Sequence, residues 1–198
     1  MEKTKLTLVT NGDIMNIQKF EHGLIRSTYI SSQKDIDVIQ KETIEETGTA
    51  LPPYKWLLTK TQRPDQLSML VDDVSIFVET DEFFVDAEFR KGYPFDHSSQ
   101  PSFLDSIINN CGKDITPIAL LHDGMFGTNQ GFQLSNKLMQ ALVKFKDFGR
   151  FLFIPIHKWI YWGVSSWKGK KAYNNSTLSQ AWEEEFVRIK VAYKIQPT

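Results

Sequence analysis

The chain has 198 residues, 41% of them hydrophobic, which is enough to bury a sizeable core as a single domain spanning 1–198. Lys and Arg number 23 against 24 Asp and Glu, so no overall field draws the protein onto nucleic acid or an anionic membrane, while a local basic patch stays open. One cysteine, Cys111, excludes an internal disulfide and a thiolate metal cluster within the chain, and no apolar run reaches the length of a membrane span or a secretory signal. A soluble cytoplasmic protein is the expectation.

The first hundred residues read mostly as strands. Leu6 to Thr10 precedes the turn Asn11-Gly12-Asp13, and Leu24 to Ile30 follows Gly23. Ser31 or Ser32 can cap a helix running to Thr47, with Ile36, Ile39 and Ile44 as its apolar stripe and Gly48 as its stop. Pro52-Pro53 breaks the chain before a strand over Tyr54 to Thr59. Leu67 to Glu79 and Glu82 to Arg90 then predict an antiparallel hairpin, because Val74, Ile76 and Val78 alternate with Ser75, Phe77 and Glu79. Its phenylalanines, Phe83, Phe84 and Phe89, read as core.

After Pro101 the period becomes helical. Phe103 to Asn110 predicts a short helix ended by Gly112, and Pro117 opens a second in which Ile118, Leu121, His122 and Met125 share one inward face. A third helix follows Gly131, with Leu134, Leu138, Ala141, Leu142 and Phe145 aligned until Gly149. Phe151 to Trp167 reads as an aromatic helix kinked at Pro155, whose Trp159, Trp162 and Trp167 pack on the sheet or, failing that, face a partner or a membrane surface. The sequons at Asn174 and Asn175 read as a polar turn. Phe186 to Ile195 alternates and predicts a last strand returning to the N-terminal sheet. The fold class is therefore α+β, an antiparallel sheet from the N-terminal half and the C-terminal strand, covered by a helical layer over residues 103–170.

The chemistry concentrates at His122-Asp123. Adjacent helical residues diverge by about 100°, so the two cannot hydrogen-bond to one another and each needs another partner. Asp96 and Ser99, in the Pro94 to Pro101 loop, are the candidates. An Asp96 carboxylate accepting from His122 would fix the imidazole tautomer, and the second ring nitrogen could then activate water, deprotonate Ser99 or bind a divalent ion. The competing reading is a core histidine tied to a polar partner. Ser99 lacks a nucleophile-elbow glycine pattern, and His22, His97 and His157 read as structural or solvated.

Gly92-Tyr93-x-Phe95-Asp96-x-x-Ser99-x-Pro101, Ala119-Leu120-Leu121-His122-Asp123, Leu134 to Leu142 and Tyr161-Trp162-Gly163-Val164-Ser165-Ser166-Trp167 resemble, in order and spacing, the motifs of domain-of-unknown-function family 1353. Its members are found mainly in tailed bacteriophages and prophages. The resemblance covers residues 70–170, leaving 1–69 as an extension and 171–198 as the returning strand. It implies Asp96, Ser99, Pro101, His122 and Asp123 as characteristic positions, and it lends no settled activity. Where the resemblance implies an acid on the next helix, this chain has Asn136, which is a poorer metal ligand and cannot take a proton. The helical His-Asp step is also similar to that of phospholipase A2, although this chain has neither a glycine-rich calcium loop nor disulfides.

Two functions follow as expectations. One is a bacteriophage-associated protein with a His/Asp hydrolase-like site built from His122, Asp96, Ser99 and Asp123. The other is a non-catalytic virion or host-interaction protein in which that constellation is structural, docking a host or virion protein through its aromatic C-terminal helix. No cofactor is implied. Asp96, His122 and Asp123 supply at most three ligands, enough for an open zinc, manganese or calcium site completed by water, but with Asn136 where the resemblance implies a further carboxylate no tightly bound divalent metal is expected.

Overall fold

The computed structural model describes residues 4–15, 24–29, 33–48, 66–95, 115–151, 154–176 and 180–194. In chain order the described elements are β1 (Lys5–Thr10), β2 (Asp13–Met15), β3 (Ile25–Tyr29), α1 (Gln33–Thr47), β4 (Gln66–Leu70), β5 (Val74–Glu79), β6 (Phe83–Phe89) and β7 (Pro94–Phe95). They continue as α2 (Thr116–Gly127), α3 (Phe132–Lys146), β8 (Arg150–Phe151), β9 (Ile154–Pro155), α4 (Ile156–Val164), α5 (Trp167–Ser176), α6 (Gln180–Phe186) and β10 (Val187–Tyr193). The architecture is α+β.

A five-stranded sheet of order β10-β6-β5-β1-β2 is antiparallel at every pairing, and the C-terminal strand occupies one edge of it. Alternation places Val74, Ile76 and Val78 of β5 and Phe83, Val85, Ala87 and Phe89 of β6 on the buried face, as the period-two pattern requires. Against that face pack Ile118, Leu120, Leu121 and Met125 of α2 and Leu138 and Leu142 of α3. Each fully buried Leu, Ile or Phe contributes about 1.5–3 kcal/mol, which makes this the principal source of stability. The β1–β2 hairpin closes through Asn11 (φ 49°) and Gly12 (φ 82°), the left-handed pair that a two-residue turn matched to strand twist demands. Gly48 (φ 73°) ends α1 as expected.

Several expectations are corrected. The expected strand from Leu67 to Glu79 is two strands in different sheets: β4 joins a second sheet of order β3-β4-β7, and the chain turns at Asp72-Asp73 before β5. The turn holds because its carboxylates accept backbone donors: Asp72 from the neighbouring Asp73 N–H (2.8 Å), and Asp73 from the Lys91 N–H (2.8 Å) beyond β6. Thr10 and Asn11 at the end of β1 donate to the same turn.

Phe84 points outward at 38% exposure, while Phe83 and Phe89 are core. In α1, Ile39 is buried but Ile44 is 46% exposed, and the second inward residue is Thr43, whose hydroxyl donates to the Ile39 carbonyl (2.8 Å). The buried face of α3 is Ser135, Asn136, Leu138, Met139, Leu142 and Val143, which leaves Phe145 47% exposed; two polar residues point inward because they are hydrogen-bonded.

Pro155 does not kink an aromatic helix. Pro155 ends β9, where it pairs with Arg150 of β8, and it is also the cap residue from which α4 starts. The Tyr54 to Thr59 strand, the Phe103 to Asn110 helix, Cys111 and Ile195 lie outside the described residues, as do Asp96, His97 and Ser99. No helix among the described residues is long and apolar enough to cross a membrane.

Candidate functional site

The helix α2 carries the His-Asp step, with Pro117 in its first turn, and it is buried on nearly all sides, from Thr116 to Ile118 and from Leu120 to Gly127. Such a helix needs close neighbours. Gly124 and Gly127 admit them: a Cβ on Gly124 would sit 2.6 Å from the Phe89 ring, and one on Gly127 would sit 2.6 Å from Oε2 of Glu183. Both are sites of contact that any larger side chain would pry apart.

His122 and Asp123 diverge, as adjacent helical residues must. His122 looks toward α3, where its Nε2 lies 3.0 Å from Oδ1 of Asn136. The Asn136 amide nitrogen donates toward the Val164 carbonyl (3.4 Å) and the Ser165 hydroxyl (3.3 Å) at the end of α4. Because that amide nitrogen is committed to acceptors, its oxygen is the atom that faces the imidazole, and Nε2 must carry the proton. The result is a chain of polar contacts joining α2, α3 and α4.

Its electrostatics follow from burial. His122 is 7% and Asn136 1% exposed, and desolvation lowers the His122 pKa from 6.5 to about 4, with the Asn136 hydrogen bond opposing part of the shift. At neutral pH the ring is uncharged. Around it the Phe126 ring lies at 4.1 Å centroid separation, Tyr173 meets Phe126 edge-on at 4.9 Å, and Phe132 stands 5.6 Å from Tyr173. The Tyr173 hydroxyl donates to Oδ1 of Asn129, so α5 is pinned to the end of α2.

Asp123 is buried as well, at 6% exposure, one helical turn before Gly127. The same side of α2 therefore meets Glu183 of α6, which is fully buried. Sequence reasoning missed both Asn136 as the histidine's partner and Glu183 as a buried acid. A signal existed for each: Phe132, Asn136, Met139 and Val143 fall at helical spacing with a lone amide among apolar residues, and Glu183 lies three residues before the buried Phe186.

Of the four candidate site residues, His122 and Asp123 are placed on α2 facing different neighbours; Asp96 and Ser99 lie outside the described residues. Among the described residues, no three His, Cys, Asp or Glu side chains gather where a metal ion could be held. A cleft of about 300 Å³ lies elsewhere, between the β5–β6 turn at Asp81 and Glu82 and Lys137, Lys144 and His157. Among the described residues, the His122 constellation donates one hydrogen bond to a neutral amide and couples three helices. No protein-family model, curated protein or solved structure matches the chain.

Proposed function

We propose that this is a bacteriophage-associated docking protein, related through its motif order to family 1353, in which the His-Asp constellation is structural and not catalytic. It works in the host cytoplasm or on the virion, and its contact is a host or virion component. The observation that carries this reading is the Nε2 proton of His122 closing on Asn136, a neutral amide that fixes the ring without the carboxylate that would raise its basicity. A buried imidazole with its pKa lowered to about 4 is also poorly matched to proton transfer at neutral pH. The network's consequence is mechanical: it fixes the end of α4, and with it the corner at which α5 begins.

Nitrogen-detected NMR of labelled histidine tests this. His122 should remain the neutral Nε2–H tautomer from pH 8 down to pH 5, because its folded pKa of about 4 lies below that range. A His122 that titrates near 6.5, together with a hydrolytic activity abolished by Asp96→Asn and His122→Gln, would replace this reading with the hydrolase.

A further inference from the structure

The sequence pattern leads one to expect the tryptophans of residues 159–167 to pack on the sheet, and only Trp159 packs against the core. Trp162 is 52% exposed and Trp167 75% exposed, among the most exposed large apolar side chains in the described protein. Buried Ile156, Ile160, Gly163 and Val164 commit one side of α4 to the interior. The opposite side presents Lys158 and Trp162, one turn apart and both exposed. The adjoining helix α5 repeats the pairing: Trp167 is followed one turn later by Lys171, whose ammonium lies 5.8 Å from the indole centroid.

Exposed Lys168 and Lys170 complete the cationic set. From Phe148 to Trp182 the sequence contains no Asp or Glu, while it carries Arg150, Lys158, Lys168, Lys170 and Lys171. In a chain of net charge −1, this is a local basic face. The two indoles are held in place: Trp159 supports Trp162 edge-on at 5.5 Å, and Gly169 packs so closely on the Val164 carbonyl that a Cβ there would strike it.

We infer that the outer face of α4 and α5 is a peripheral docking surface for an anionic lipid bilayer, with Trp162 and Trp167 seated at the headgroup level and Lys158, Lys168, Lys170 and Lys171 against the lipid phosphates. The inference rests on the docking reading and names its occupant. Charge complementarity selects an anionic surface, since no carboxylate of this stretch offsets the lysines. The form of the apolar groups selects a bilayer over an acidic polypeptide. Indole is the side chain of membrane interfaces, apolar in its body and polar at its N–H, and these two project from neighbouring helices beside cations.

Sedimentation with vesicles tests the inference on the full chain. Vesicles of phosphatidylglycerol and phosphatidylcholine should bind the protein with a blue shift of tryptophan emission, and phosphatidylcholine alone should bind it far less. Replacing Lys168, Lys170 and Lys171 by Gln should weaken binding about a hundredfold, at about fivefold per lysine near the surface. Trp162→Ser with Trp167→Ser should weaken it on the order of tenfold, in proportion to the apolar area withdrawn. Should the double variant misfold in near-ultraviolet circular dichroism, Trp167→Ser alone carries the test, because that side chain is the most exposed of the set.

Equal binding by parent and variants overturns the assignment of the surface. Binding to polyglutamate with none to anionic vesicles overturns the lipid and leaves the docking reading standing, with an acidic protein as its partner. Binding to neither overturns both. The NMR titration of His122 decides the non-catalytic reading independently of all these outcomes.

Discussion

His122 should make this protein less stable as the pH falls. In the unfolded chain His122 takes up a proton near its ordinary pKa of 6.5, while the folded protein refuses it until about pH 4. The folded-state pKa is therefore depressed: the contribution is complete above pH 6.5 and declines as pH falls, because between the two values only the unfolded state gains the proton. At 1.36 kcal/mol per pH unit the full loss across that window is about 3 kcal/mol, and the share between pH 7 and pH 5 is about 2 kcal/mol. Urea unfolding of the parent and of His122→Gln at both pH values measures it. Glutamine can still offer an amide N–H toward Asn136 but binds no proton, so the variant should lose about 2 kcal/mol less than the parent on going from pH 7 to pH 5. Other titrating groups cancel in the comparison. Equal losses would show that His122 is solvated or charged in the native state, and the argument from burial would fail.

Two further substitutions bear on the same helix. Gly127→Ala drives a methyl group to within 2.6 Å of Oε2 of Glu183 and should cost about 1–3 kcal/mol, read as a lowered thermal midpoint, whereas an unchanged midpoint would mean that α2 and α6 separate freely. Asn136→Asp places a carboxylate beside the His122 imidazole and should raise the histidine's pKa well above about 4 by NMR titration. The same change removes the amide donor to Val164 and Ser165, so the variant should also melt lower than the parent at pH 7, by about 1–3 kcal/mol.

How far the fold and site could be read in advance depended on whether the cause was local. The β5–β6 hairpin and the C-terminal strand were legible because strict alternation has only one solution when one face is buried. The break at Asp72-Asp73 carried local turn chemistry and could have been seen, yet the hydrophobic run on both sides outweighed it. The α3 stripe held at Leu138 and Leu142 and failed at Phe145, and it left out Asn136 because a period count treats an amide as a surface residue and nothing local states that His122, fourteen positions earlier, will receive it. Trp159 packs against the core as expected, and Trp162 and Trp167 do not, for the converse reason. Aromatic content signals burial only on average, and Trp162 and Trp167 lie on the side of their helices that no described element covers. Within the candidate site, the inward direction of His122 followed from helical spacing, while its partner depended on tertiary packing.

The two edges of the five-stranded sheet have a bearing on how the protein fares at high concentration. An open strand edge is a template on which another chain can add, and the usual outcome is aggregation. Among the described residues one edge is β2, only three residues long. The other is β10, where Arg188 and Lys190 are exposed, and just past its end the Lys194 ammonium reaches Glu79 at 2.8 Å. A second molecule approaching β10 in register would bring like charges together along its length, and one approaching β2 would find too few backbone groups to hold it. Both ends of the sheet thus discourage strand-to-strand polymerisation, so the exposed aromatic face of α4 and α5 can be displayed without a β-edge recruiting further copies alongside it.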